Sequence, residues 1–191
     1  MRVILASKSP RRKELLEQIG LSFEVLVSDS DENLDIDIPE EFVKELSRIK
    51  SKAVMDLMDG IDENTLIIGA DTIVVYDGKI LGKPKDEEDA FCMLKMLSDN
   101  EHEVITGVTL LSKKNGKIDM DTFFEKTKVF TYKMSDSEIK EYIATKEPMD
   151  KAGSYGIQGI GGKFIKKIDG DYNNVVGLPV SRIYQKIKEN N

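Results

Sequence analysis

Histidine and cysteine are almost absent from this chain: it has one of each, His102 and Cys92, and no tryptophan. A single thiol cannot form an intrachain disulfide, so the fold must hold without covalent staples, and a reducing compartment is expected. Cys92 lies in a Phe-Cys-Met-Leu run at helical spacing and is expected in the core. Without a second His or Cys the usual zinc sites are excluded, and any metal must be held by oxygen. One histidine also leaves no Ser-His-Asp set to assemble. No apolar run approaches the ~20 residues that span a bilayer, and the N-terminal one is too short for a signal peptide. A cytoplasmic chain without membrane contact is expected. Basic residues are in deficit, 28 Lys and Arg against 35 Asp and Glu for a net charge of -7, which argues against a non-specific nucleic-acid binder. Internal repeats, low-complexity tracts and linkers are lacking, so residues 1–191 are expected to form one mixed α/β domain.

What is present is unevenly placed. Residues 1–13 hold five Lys or Arg and no acid, whereas residues 29–41 hold seven Asp or Glu and no base. The basic stretch contains VILASKSPRRKELL, residues 3–16, in which a buried strand, Val3 to Ala6, runs into a helix. Pro10 suits the first helical position and Ser9 the N-cap. Free N–H groups and the positive end of the helix dipole then converge on a spot that also carries two hydroxyls, Lys8, Arg11 and Arg12. Basic side chains in a first turn are ordinarily solvated surface. Three in succession, Arg11 to Lys13, oppose the dipole, and that points to a compensating anion such as phosphate.

Further along, Gly20 should close the first helix, and LSFEVLV alternates as a strand. Pro39 should open a long helix whose apolar stripe is Phe42, Val43, Leu46, Ile49, Ala53, Val54 and Leu57. Lys44, Arg48 and Lys52 recur every four residues as a basic ridge. Leu66 to Ile68 read as a buried strand that ends in Gly69-Ala70 and then Asp71. Asp77-Gly78 and Asn115-Gly116 are hairpin signals. Ser135 and Glu138 form a capping box. A glycine-rich loop, AGSYGIQGIGG, precedes the strand KFIKKI, a turn at Asp169-Gly170 and a last helix begun by Pro179.

Several motifs fail on inspection. Gly156 and Gly162 are one residue too far apart for a P-loop, and Lys163 is followed by Phe164 rather than Ser or Thr. No Gly-x-Gly-x-x-Gly opens a helix. Asp71-Thr72 lacks the second Asp of an aspartyl-phosphate enzyme, having Ile73 there. What survives is a set of polar residues on turns and strand ends: Lys8, Arg11, Arg12, Glu32, Lys52, Asp71 and Lys83. Carboxylates together with phosphate oxygens make the ordinary shell of Mg²⁺ or Mn²⁺.

Four stretches, VILASKSPRRKELL, GADTIVVYDGKILGKP, DKAGSYGIQGIGG and VVGLPV, occur in an order and spacing that resembles the Maf family of nucleoside triphosphate pyrophosphatases, from about residue 3 to residue 187. The resemblance implies an extended mixed sheet flanked by helices, with two lobes around a cleft, similar to the inosine triphosphate pyrophosphatase-like fold. It implies metal-dependent hydrolysis of a nucleoside triphosphate to monophosphate and pyrophosphate, a role in clearing unwanted nucleotides, and a link to septum formation. Monomer and homodimer both stay open.

Carried over by position, Asp71 matches the proton acceptor, and Ser7, Ser9 and Arg12 match the phosphate-binding motif. Arg11 neighbours that motif and is assigned to the phosphates with it. Glu32 matches the acid that, with Asp71, holds the metal, a second ligand being open between Asp29 and Asp31. Lys52 and Lys83 match active-site lysines. Arg12, Thr72 and Gln158 match positions that separate substrate subgroups. The branch acting on dTTP and UTP resembles Ser-Pro-Arg-Arg, Asp-Thr-Ile-Val and Gly-Ile-Gln-Gly, all present here. A 7-methyl-GTP branch would carry Trp at Arg11, Gln at Thr72 and Glu at Gln158. A nucleotide-sensing regulator without turnover is the rival from outside enzymes.

Overall fold

The computed structural model describes residues 1–29, 34–58 and 60–189. The N-terminal apolar run forms β1 (Arg2–Ala6), buried from Val3 onward, and Pro10 opens α1 (Pro10–Gln18). Gly20, at φ 71°, donates its N–H to the Glu17 carbonyl, and Leu21 donates to that of Leu16. These paired bonds close the helix as a left-handed C′ residue allows. β2 is only Glu24–Val25, much shorter than the alternation of LSFEVLV suggests. It lies at the edge of the sheet, and both its residues are exposed. Alternation reports a pleat but not where pairing stops.

α2 (Pro39–Leu57) begins where expected and buries Val43, Leu46 and Val54 of the expected stripe, but its buried face is rotated toward two serines. Val43, Leu46, Ser47, Ser51 and Val54 are buried, while Leu57 is 58% exposed. The cause lies in the sheet, on β3 (Thr65–Tyr76) and β5 (Glu101–Lys114). A Cβ added to Gly69 would stand 2.1 Å from Ser51 Oγ, and one added to Gly107 would stand 2.2 Å from the Val43 carbonyl oxygen. The helix backbone therefore rests on two bare patches of strand, and small side chains are needed there. The buried hydroxyls are paired: Ser47 with Thr109 at 2.7 Å, Ser51 with the Ser47 carbonyl at 3.0 Å, Thr109 with Thr122 at 3.0 Å. Paired, they avoid the penalty of a buried unsatisfied group.

β4 (Lys79–Leu81) folds back on β3 through Asp77-Gly78, and β6 (Lys117–Thr131) follows β5 through Asn115-Gly116. All four turn residues have positive φ, as two-residue type I′ hairpins require. α3 (Glu87–Leu97) is capped by Asp86. Its buried face is Ala90, Met93, Leu94 and Leu97, so Cys92 is exposed rather than in the core. α4 (Asp136–Ala144) carries the expected capping box. Short 3-10 turns then lead to β7 (Ile165–Asp169), α5 (Tyr172–Val176) and α6 (Val180–Glu189).

The strands form one mixed sheet in the order β2-β1-β3-β5-β6-β7, with β4 attached to β3. This is the helix-flanked mixed sheet that the resemblance implies. The chain divides into two compact units: Met1–Asp71, Thr106–Glu125 and Gly177–Asn191 compose the first, Thr72–Ile105 and Lys126–Val176 the second. The first has a core around Ile4, Val54, Ile67 and Leu111. The second centres on Leu94, Val129, Ile139 and Tyr142. Among the described residues no helix is long and apolar enough to cross a membrane.

His102 sits inside the second unit, 2% exposed, with Nε2 against the Tyr155 hydroxyl at 2.8 Å and Nδ1 without a partner among the described residues. Burial disfavours the imidazolium and pulls the pKa from 6.5 down to about 4. The unfolded chain therefore binds the proton first as pH falls. Stability from this group is fully present above pH 6.5, declines below it and is lost toward pH 4. The shift corresponds to about 3 kcal/mol. Urea unfolding of the native chain and His102→Gln from pH 4 to pH 7 should show a shallower pH slope for the variant. Parallel slopes would place the proton elsewhere.

Candidate active site

The register of the parallel pair β1 and β3 sets Ala6 opposite Gly69, so the chain that leaves β1 toward α1 passes beside Ala70 and Asp71. Outside the carboxyl end of a parallel strand is where open α/β sheets place ligands. Ser7 is buried, and its Oγ accepts from the Ser9 backbone N–H at 3.2 Å and from Arg12 Nη1 at 3.1 Å. Arg12 is also buried. Its Nη1 donates to the Ala70 carbonyl at 2.9 Å and its Nε to that of Gly177 at 2.8 Å. One guanidinium thus fixes the strand exit, the approach to Asp71 and a C-terminal turn, a task suited to its rigid fork of donors.

Ser9 occupies the N-cap position, but its side chain does not cap the helix, and no acid lies in the first turn. The first helical N–H groups and the dipole are accordingly not answered by the helix's own side chains. Arg11 is half-buried, while Lys8 is exposed and lies 3.4 Å from the fully exposed Asp29 carboxylate.

Asp71 is enclosed, its side chain 15% exposed, and its Oδ1 accepts from Lys50 Nζ at 2.5 Å. The lysine that meets Asp71 is Lys50, while Lys52, the lysine named from the family resemblance, is exposed. At about 100° per residue, Lys50 falls within about 20° of buried Val43, whereas Lys52 falls about 180° from it. The four-residue ridge of Lys44, Arg48 and Lys52 follows the other face, where Lys44 pairs with Glu41 and Arg48 with Glu45. The signal that would have found Lys50 is the pair Ser47 and Ser51, small residues one turn apart that mark the packed side. Glu32, expected as a metal ligand, and Asp31, the alternative to Asp29 for a further one, lie outside the described residues. Among the described residues no three His, Cys, Asp or Glu cluster as a metal site.

In the second unit Thr72 is half-buried, whereas Lys83 and Gln158 are exposed. Lys83 follows β4, and the neighbouring Gly82 carbonyl accepts from the Gly153 N–H at 3.0 Å, which ties this turn to the start of the glycine-rich loop. Gln158 lies in that loop, between the 3-10 turns Ala152–Ser154 and Ile160–Phe164. Sequence reasoning missed two residues bound to the loop, Tyr142 and Glu147; the Glu147 carboxylate accepts from the Ile160 and Gly161 N–H groups.

A mixed α/β sheet whose first strand delivers an uncapped, basic helix N-terminus next to a lysine-held aspartate defines a protein built to handle an anion. Residues 2–190 match the family model described as Maf-like protein. A Geobacillus sp. (strain WCH70) protein named dTTP/UTP pyrophosphatase is 54% identical, the alignment covering 97% of this chain and 96% of that one. Proteins of the same name from Agathobacter rectalis and Lachnoclostridium phytofermentans are 51% and 47% identical, each over 98% of this chain and over 96% and 94% of their own. A solved nucleoside-triphosphatase / dITP/XTP pyrophosphatase from Mycobacterium abscessus aligns at 12% identity and a TM-score of 0.47, over 98% of this chain and 92% of its own, too loosely to bear on chemistry. The chain belongs to the Maf family.

Proposed function

We propose that this chain is a nucleoside triphosphate pyrophosphatase acting on dTTP and UTP. The observation that carries the reading is its near-full-length identity, about half of all positions, to relatives of that name. The arrangement around Asp71 supports it.

The phosphates are assigned to the start of α1. Backbone N–H groups at a helix N-terminus, with the Ser7 and Ser9 hydroxyls and the Arg11 side chain, suit phosphate oxygens. Arg12 is largely committed to Ser7, Ala70 and Gly177, so its part is to hold the cradle in shape. Asp71 receives the proton of the attacking water, or orients that water toward the α-phosphorus. Lys50 fixes the carboxylate through Oδ1, and a carboxylate has a second oxygen with which to meet the water. Lys83 is assigned to charge on the leaving pyrophosphate, and Thr72 and Gln158 to the nucleoside. The work is positioning and electrostatics, without a covalent intermediate.

A divalent cation, Mg²⁺ or Mn²⁺, fits the donor chemistry. Such ions take one or two carboxylates and complete their shell with water and phosphate oxygens, and Asp71 is an enclosed hard-oxygen donor. Asp71 would hold it, with Glu32 the expected second carboxylate. Once bound it would neutralise phosphate charge and polarise water.

The test is product analysis with purified protein, Mg²⁺ or Mn²⁺, and a panel of dTTP, UTP, CTP and 7-methyl-GTP. Pyrophosphate and monophosphate should appear, fastest from dTTP and UTP. Diphosphate with orthophosphate would mean attack at the γ-phosphorus, and binding without turnover would make the protein a sensor; either overturns the reading.

A further inference from the structure

The backbone on either side of the Lys50–Asp71 pair has little room to move. A Cβ added to Gly69, two residues before Asp71, would stand 2.1 Å from the Oγ of Ser51, the residue after Lys50, and 2.4 Å from the Ser47 carbonyl oxygen. α2 and β3 are therefore in direct contact beside the pair, and any local rearrangement falls to the side chains. Asp71 is too short to travel. Lys50 is not: a lysine ammonium is a compact point charge on a flexible four-carbon stem.

The pair is also enclosed. The Lys50 and Asp71 side chains are 17% and 15% exposed, with Nζ 2.5 Å from Oδ1. A carboxylate so far withdrawn from water is costly unless a cation answers it, and here the answering cation is Lys50. Among the described residues no two further His, Cys, Asp or Glu join Asp71 in a cluster. The negative charge that these residues offer at this point is therefore close to that of one carboxylate. One carboxylate cannot give its full charge both to an ammonium and to a divalent cation, and two positive centres that share it repel each other at short range.

We infer that Lys50 competes with the divalent cation for Asp71: its ammonium holds the carboxylate in the nucleotide-free protein, and a cation binds there at its expense. This rests on the assignment of the cation to Asp71 made above. One positive charge then does two things. It answers Asp71 before substrate arrives, and it keeps the affinity of the nucleotide-free protein for the ion low. Because the stem can withdraw while α2 stays seated on β3, the exchange needs no movement of the helix.

The test is a titration of the nucleotide-free protein with Mn²⁺ alone, in which the free ion is read from its electron paramagnetic resonance signal and no turnover is involved. Lys50→Gln removes the charge and keeps a donor for Asp71; Lys50→Met removes both. Each should bind Mn²⁺ at least about tenfold more tightly than the native chain, as loss of a neighbouring like charge requires. Damage to the fold would weaken binding, so the sign of the change separates competition from a merely structural role. Mn²⁺ should also raise Tm further in Lys50→Gln than in the native chain, because tighter binding to the folded state stabilises it more. Near-UV circular dichroism identifies the folded variants, and Lys50→Gln carries the test if Lys50→Met does not fold. Adding Asp71→Asn to Lys50→Gln should abolish the gain. If Asp71→Asn weakens Mn²⁺ binding but the folded neutral Lys50 variants do not strengthen it, Lys50 is a structural partner only and the inference is overturned. Mn²⁺ binding absent from every one of these proteins overturns it as well. If the gain survives Asp71→Asn, the ion is held elsewhere, and the assignment of the cation to Asp71 fails together with this inference.

Discussion

Asp71→Asn is expected to fold normally and to lose at least about a hundredfold in kcat/KM for UTP. Amide replaces carboxylate at equal volume, so the packing around this enclosed side chain is retained. The amide oxygen can still accept from Lys50, which keeps the group in place. What disappears is the charge and the ability to take a proton. Losing a general base alone costs on the order of 10²- to 10⁴-fold. The loss of an anionic donor for a cation adds to that, and Lys50, its side chain only 17% exposed, is left without its counter-charge. Lys50→Met should cost less than Asp71→Asn, because it frees the carboxylate without removing it. The measurement is pyrophosphate release at saturating and limiting UTP, with far-UV circular dichroism as the control for folding. A folded Asp71→Asn that keeps more than about a tenth of the native rate would show that the base is elsewhere and that Asp71 is only a structural residue of β3.

The second large effect is on stability and lies away from the chemistry. Gly107→Ala is expected to destabilise the protein by at least about 3 kcal/mol, at the upper end of what overpacking a core costs. The new methyl group would meet the Val43 carbonyl oxygen at 2.2 Å, the Val43 carbonyl carbon at 2.3 Å and the Lys44 nitrogen at 2.8 Å. All three are backbone atoms of α2, so no side chain can swing aside. Either the helix lifts from β5 or the strand shifts. Because α2 also carries Lys50, activity should fall with stability rather than separately from it. Gly82→Ala is the control: nothing lies within 4 Å of its added Cβ, and a change within about 0.5 kcal/mol is expected. Urea denaturation of both variants decides the matter. A Gly107→Ala protein within about 1 kcal/mol of native would mean that α2 is not seated on the strand as described.

The parts of the fold legible in the sequence were those governed by neighbours a few residues apart. Pro10 and Pro39 open helices, Gly20 closes one, Ser135 and Glu138 cap another, and the Asp77-Gly78 and Asn115-Gly116 pairs turn hairpins. Each depends on local backbone geometry and one or two hydrogen bonds within a turn, so residue identity nearly suffices. The basic start of α1 was legible for the same reason: its first turn conflicts with its own dipole, and that conflict is written in consecutive residues.

Faces were another matter. A four-residue period puts Lys52 on the basic ridge and says nothing of Lys50, and apolar neighbours put Cys92 in the core. Both readings take a helix's inner side from its own side chains. In α2 that side is set by Gly69 and Gly107, distant in sequence, whose missing side chains let the helix backbone settle with Ser47 and Ser51 beneath it. A polar serine pair outranks Leu57 there because space, not hydrophobicity, decides what fits against bare backbone. Glu147 was invisible for a related reason. Its partners, at positions 142, 160 and 161, fall in no helical or strand period, and only the folded loop brings their donors to one carboxylate. The sequence by itself thus determined the family, the turns, the capping box of α4 and the basic start of α1. The tertiary structure alone decided which lysine holds Asp71 and what holds the loop of Gln158, because both follow from close approaches between segments that local periodicity does not record.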